Sequence, residues 1–126
     1  MEAEKKILHS YKDLIVWKKS IELVVLLYSL TNNFPKEEIY GLTSQIRRAG
    51  VSIPSNIAEG RQRGTRKDFT QFLRIALGSG AELETQIQIA KRLSFGKNSD
   101  FEKIDLLLSE VMRMLHAMIQ KLSANS

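Results

Sequence analysis

Apolar residues recur every three or four positions along most of this chain, which is the repeat of an α-helix with one buried face. The pattern predicts four such helices, at about residues 11–32, 35–60, 65–93 and 99–122. No stretch alternates apolar and polar residues between turn signals, so no β-sheet is expected. The links are about three to six residues long, which forces neighbouring helices to run antiparallel.

These features predict an all-α fold, an up-down-up-down antiparallel four-helix bundle formed by residues 10–122. We expect residues 1–9 to be a flexible tail and residues 123–126 to be a frayed C-terminus. Thr65 with Asp68 and Ser10 with Asp13 carry helix-capping signals, and Gly96 is expected to end the third helix.

The first helix carries two apolar rows rather than one. Its 3-4-3-4 spacing predicts an inner row consisting of Leu14, Trp17, Ile21, Val24 and Tyr28. The second row consists of Leu23, Leu27 and Leu30. Because a four-helix bundle has a single interior, we expect the second row to form an interface between subunits.

A proline interrupts the pattern of the second helix. Pro54 lacks a backbone N–H and its ring clashes with the preceding turn, so we expect a kink or a break there. Ser52, Asn56 and Glu59 lie beside it, and we predict that they form a structural polar network that pairs Glu59 with an arginine. The alternative is a polar pocket in which Glu59 acts as a general base.

Small residues cluster in the middle of the third helix, where Gly78, Gly80 and Ala81 follow one another closely. Glycine inside a helix costs about 1 kcal/mol relative to alanine. We therefore expect another helix to approach closely at this point.

The positive charge of the chain is confined to one region. Residues 40–74 carry seven basic and two acidic residues, a net charge of +5, whereas the remainder carries twelve of each. The seven are Arg47, Arg48, Arg61, Arg63, Arg66, Lys67 and Arg74. Such a local charge is the electrostatic pattern of a protein that binds a polyanion, and arginine binds phosphate with two parallel hydrogen bonds.

Two readings of this region remain open. In the first, the seven residues bind nucleic acid through phosphate contacts, which would be sensitive to salt and tolerant of sequence. In the second, they are a solvated loop with salt bridges between subunits, to Glu82 or Glu84. Arg47 and Arg48 lie within a helix, beside apolar residues, and favour a structural role at a helix or subunit seam.

The composition argues against other classes of function. The chain has no cysteine, and His9 and His116 lack carboxylates at ligand spacing, so we expect no metal and no cofactor. No acid–base constellation indicates an enzyme. The first nine residues lack the apolar run of a signal peptide, and no apolar run is long enough to span a membrane, so we expect a cytoplasmic protein.

Three motifs resemble a known family. YGLTSQIRRA (residues 40–49), SIPSNIAEG (52–60) and FLRIALGS (72–79) stand in this order, and DLIVWKKSIEL (13–23) precedes them. In these motifs the chain resembles the four-helix bundle proteins encoded in bacterial 23S rRNA intervening sequences. The resemblance weakens after Phe95, and Gly50 stands where alanine is usual.

The resemblance implies a homopentamer of all-α bundles. It also implies a distant relation to the accessory proteins of diversity-generating retroelements, which are basic pentamers that bind a reverse transcriptase and nucleic acid. We therefore expect a non-enzymatic homo-oligomer that binds structured RNA or another nucleic acid as a scaffold or accessory factor. The alternative is an adaptor whose basic face docks an acidic protein without nucleic acid.

Overall fold

The computed structural model describes residues 10–124, which form four long α-helices and two short 3-10 turns. The helices are α1 (Ile15–Thr31), α2 (Leu42–Gln62), α3 (Arg66–Arg92) and α4 (Asn98–Ala124). Each helix packs against its neighbours in the chain, and α4 closes the bundle against α1. The described residues contain no strand, and the predicted all-α bundle is confirmed.

The core corrects the assignment of the two apolar rows on α1. Leu23, Leu27 and Leu30 are at most 1% exposed inside this single chain, so the prediction that they form a subunit interface is wrong. The exposed row instead includes Ile21 and Tyr28, which were predicted to face inward. Both rows are apolar at helical spacing, and only the placement of α1 against α2 and α4 decides which one is buried.

The helix termini follow local hydrogen bonds. Thr65 is the N-cap of α3, and its hydroxyl accepts a hydrogen bond from the backbone N–H of Asp68, as predicted. At the other end of α3, the C′ position with left-handed backbone is Ser94 (φ 60°) rather than the predicted Gly96, and the N–H of Phe95 bonds to the carbonyl of Ala90.

The other boundaries differ modestly from the predicted ones. Before α1, Ser10 caps a 3-10 turn at Tyr11–Asp13, where its hydroxyl accepts from the N–H of Lys12. Before α2, the carboxylate of Glu38 accepts a hydrogen bond from the N–H of Leu42. The fourth helix continues through Ala124, two residues past its predicted end. The predicted tail 1–9 lies outside the described residues, as do positions 125–126 of the predicted frayed C-terminus.

Glycines allow close contact between neighbouring helices. A Cβ at Gly60 would lie 2.5 Å from Cβ of Phe72, and a Cβ at Gly80 would collide with Sδ of Met112. The close approach predicted for the third helix therefore occurs at Gly80, where α4 passes. Gly78 is exposed and has no atom within 4 Å of an added Cβ, so packing within the chain does not account for it.

Pro54 is buried inside α2, and the helix continues through it, so the chain does not break there. A bend of the helix axis at this point stays a prediction. Nearby, Nδ2 of Asn56 donates to the carbonyl of Ser52 (2.8 Å) and to its hydroxyl (2.9 Å). The hydroxyl of Ser79 on α3 donates to the same hydroxyl (2.9 Å), which ties the two helices together.

Glu59 lies apart from this network, so the prediction that it belongs to the network together with Ser52 and Asn56 is wrong. Its carboxylate pairs with Arg63 at 2.9 Å on the surface, so the expected pairing with an arginine is present, but the carboxylate contacts neither Ser52 nor Asn56. Glu59 follows Asn56 by three residues, yet the helix places its side chain in solvent.

Candidate nucleic-acid interface

The basic residues between positions 61 and 74 lie at one end of the bundle. At this end α2 finishes, α3 begins after a turn of three residues, and α4 finishes beside them. Gly64 in the turn has φ +85°, a backbone conformation that glycine adopts without strain. The turn thereby brings basic side chains of α2 and α3 to the same end.

A cavity of about 550 Å³ opens here between the first turns of α3 and the end of α4. It is lined by Arg66, Lys67, Thr70, Gln71, Arg74 and Ser123. We call it the end cavity. Three of its six lining residues are cations, and among the described residues no carboxylate lines it. Its electrostatic character therefore favours an anionic ligand.

The helical repeat of α3 aligns three of the residues that line the end cavity. Arg66, Thr70 and Arg74 follow one another at four-residue spacing, so they form one row about 12 Å long. Nη2 of Arg74 donates to the hydroxyl of Ser123 on α4 at 3.2 Å. Lys67 is exposed and forms no hydrogen bond or ion pair with another residue of the range 10–124. The hydroxyl of Thr70 donates to the carbonyl of Arg66.

Arg63 borders the same end of the bundle. Its guanidinium lies 4.9 Å from the centre of the Phe72 ring and pairs with Glu59. Both members of this ion pair are about half exposed. Exposed pairs of this kind contribute only about 0–1 kcal/mol, so Arg63 can exchange its partner for a phosphate at little cost. Arg61 is half-buried at this end.

Arg47 and Arg48 lie elsewhere, about 20 Å along α2 from Arg61. The guanidinium of Arg47 stacks on Tyr28 at 4.4 Å, and its Nε donates to the hydroxyl of Thr31 at 2.8 Å. Arg47 therefore fastens α2 to α1, which is the structural role that the sequence favoured. Arg48 is exposed at the edge of a separate shallow cavity. The seven basic residues thus form two groups rather than one surface.

The carboxylates proposed as alternative partners do not line the end cavity, and both lie further along α3, Glu82 about 12 Å beyond Arg74. Glu82 follows Arg66 by sixteen residues of the same helix, which is about 24 Å. Nε2 of Gln86 donates to Glu82 at 3.2 Å, while Oε1 of Gln86 is buried with no hydrogen-bond partner among the described residues. A salt bridge from Arg66 to Glu82 or Glu84 would therefore require another subunit.

The sequence did not identify Ser123 of α4 as a residue that lines the end cavity. Ser123 was assigned to a frayed tail, and nothing local to it indicates that it meets Arg74, 49 residues earlier. Only the antiparallel topology indicates this contact, because it places the end of the fourth helix beside the start of the third. Thr70 and Gln71 were also missed, although their spacing from Arg66 and Lys67 places them in the same rows.

A second surface is apolar and lies on α1 and α2. Val25 is 63% exposed, and Ile21, Tyr28 and Val51 are each about 40% exposed. Beside them is a groove of about 270 Å³ whose lining includes Trp17 and Pro54. We call these four exposed residues the α1–α2 apolar surface. Its side chains lose solvent contact only if another molecule covers them.

Residues 10–124 contain neither a cluster of metal ligands nor a helix that could span a membrane. No three His, Asp or Glu side chains in this range come together at metal-binding distance. None of its helices combines the length and the apolar character that crossing a bilayer requires.

Comparisons with known proteins agree with the fold. A family model described as "23S rRNA-intervening sequence protein" matches residues 12–117. The chain is also similar to a crystal structure of a protein of unknown function from the S23 ribosomal protein family of Bacteroides thetaiotaomicron VPI-5482. The identity is 30% and the TM-score 0.74, over 83% of this chain and 98% of the other. No curated protein matches the chain.

Proposed function

The chain belongs to the 23S rRNA-intervening sequence protein family, and from this premise we propose that it is a non-enzymatic homo-oligomer that binds RNA or another nucleic acid. It would act as a scaffold or accessory factor in the cytoplasm. The observation that carries the proposal is the end cavity, where Arg66, Lys67 and Arg74 lie together and no carboxylate of residues 10–124 belongs to the lining. Cations held at one end of a folded body can neutralise several phosphates of one strand at once.

The expected salt dependence of binding follows from the number of phosphates that the end cavity neutralises. Three neutralised phosphates of a duplex would give a slope of log K against log salt of about −2.7. Raising the salt from 50 to 200 mM would then weaken binding about 40-fold. An oligomer that repeats the end cavity would bind more tightly still, provided that one RNA reaches two copies.

The test compares two variants with the same change in charge. In the first, Arg66, Lys67 and Arg74 are replaced by glutamine. In the control, Arg92, Lys97 and Lys103 are replaced by glutamine; these exposed cations lie at the opposite end of the bundle. Titration of a labelled hairpin RNA should show at least about a tenfold loss of affinity in the first variant and little loss in the control.

Equal losses in both variants would mean that only the total charge matters, and the end cavity would have no special part. No binding by the parent protein would reject the nucleic-acid function. A protein partner that stays bound after nuclease treatment, together with absent RNA binding, would favour an adaptor instead.

We also propose that the α1–α2 apolar surface forms one side of the contact between subunits, in place of the buried leucine row. A ring such as a pentamer needs two different complementary surfaces on each subunit. Ile89 and Leu106 on the other two helices are 45% and 75% exposed and are candidates for the second surface. Light scattering should give the mass of a pentamer, and a monomer at micromolar concentration would reject this assembly.

A further inference from the structure

The end cavity differs from a plain basic surface because it is concave and contains a neutral group between its cations. Gln71 follows Lys67 by four residues and precedes Arg74 by three, so its carboxamide lies among the cationic side chains that line the cavity. Within residues 10–124 this carboxamide has no hydrogen-bond partner. It offers both donors and an acceptor to a ligand.

The size of the end cavity limits what can enter it. About 550 Å³ lies within the ~300–1,000 Å³ range of pockets that hold small molecules. A base-paired duplex keeps its bases stacked inside and presents only backbone to such a cavity. An unpaired nucleotide can turn its sugar and base outward and insert them.

The arrangement of charge suits the same ligand. Arg74 lies about 12 Å from Arg66 along α3, with Lys67 and Gln71 between them. Cations at both ends can contact the phosphates on either side of a nucleoside, and the carboxamide can bond to its base edge or ribose hydroxyl. A site for phosphate alone would gain nothing from Gln71, because a phosphate is better bound by the charged donors.

We propose that the end cavity binds one unpaired nucleotide of an RNA strand, with Lys67 and Arg74 on its phosphates and Gln71 on its base or sugar. This inference rests on the proposed function and specifies its ligand. Among residues 10–124 the lining contains no aromatic side chain, so the base is held by polar contacts rather than by stacking. Recognition should therefore favour bulges, loops and strand ends over perfect duplex.

The experiment compares two labelled RNA hairpins with the same stem, one perfectly paired and one with a single bulged nucleotide. The full-length protein should bind the bulged hairpin roughly two- to tenfold more tightly. Gln71→Leu should remove this preference while leaving the salt dependence unchanged, because it alters no charge. Gln88→Leu, an exposed site further along the same helix, is the matched control and should keep the preference.

Equal affinity of the parent for both hairpins would overturn the inference while leaving the proposed RNA binding intact. Failure to bind either hairpin would reject the proposed function itself. A preference that survives Gln71→Leu would show that the carboxamide is not the recognising group, which also overturns the inference. Circular dichroism on each variant checks that the helices are intact.

Discussion

The packing of α2 against α3 can be tested with one methyl group. In Gly60→Ala the new Cβ would lie 2.5 Å from Cβ of Phe72 and 3.3 Å from Cδ1 of Phe69. The Cβ of Phe72 is fixed to the backbone, so only separation of the two helices relieves the contact. Overpacking of this kind costs about 1–3 kcal/mol, and alanine returns up to about 1 kcal/mol of helix propensity. We expect a net loss of about 1–2 kcal/mol.

The matched control is the same substitution at an exposed position. A Cβ at Gly78 meets no atom within 4 Å, so Gly78→Ala should gain about 1 kcal/mol from helix propensity alone. Two identical chemical changes should therefore alter the free energy of unfolding in opposite directions, with a difference of about 2–3 kcal/mol.

Urea unfolding, monitored by far-ultraviolet circular dichroism, measures the free energy of unfolding of both variants. The two values can be compared only if the slope of free energy against urea concentration is the same for both. Light scattering at the same concentration must give equal masses, so that the comparison reports folding rather than assembly. The account of the α2–α3 contact is refuted if Gly60→Ala is as stable as the parent protein. It is equally refuted if Gly78→Ala causes the larger loss.

Three further predictions concern other parts of the molecule. Gln86→Leu removes a buried acceptor that has no partner among residues 10–124, but it also removes the hydrogen bond from Nε2 to Glu82, so it should raise the free energy of unfolding in urea by about 1 kcal/mol, whereas Gln88→Leu on the surface should change it little. Thr65→Ala removes the N-cap of α3 and should lower stability by about 1 kcal/mol, which Thr65→Ser should largely restore; equal stability of the two variants would contradict the capping role. Val25→Glu places a charge in the α1–α2 apolar surface and should lower the mass found by light scattering without loss of helix, and an unchanged mass would exclude this surface from the contact.

The fold could be predicted from the sequence because several independent sequence features indicate the same architecture. Helical spacing, few glycines and prolines, and short links all indicate four antiparallel helices, and Thr65 marks the start of the third almost to the residue. Interior and surface were harder to separate on the first helix. Leu27 and Tyr28 both belong to apolar rows, and the choice between them depends on where two other helices pack.

The candidate site was predictable in its charge but not in its shape. Clustered arginines are visible in the sequence, whereas the division into two groups depends on the length of α2 between Arg48 and Arg61. The end cavity also needs Ser123, which only the tertiary fold brings to Arg74. Contacts between residues far apart in the chain leave no periodic signal, so a one-dimensional pattern does not reveal them.

The most direct test of RNA binding at the end cavity is the slope of log affinity against log salt, measured with duplex RNA. The parent protein should lose affinity steeply as salt rises, and replacing Arg66, Lys67 and Arg74 by glutamine should make the slope shallower by about 2–3. The variant with glutamine at Arg92, Lys97 and Lys103 should keep the slope of the parent. A slope that is the same in all three proteins would contradict the central claim.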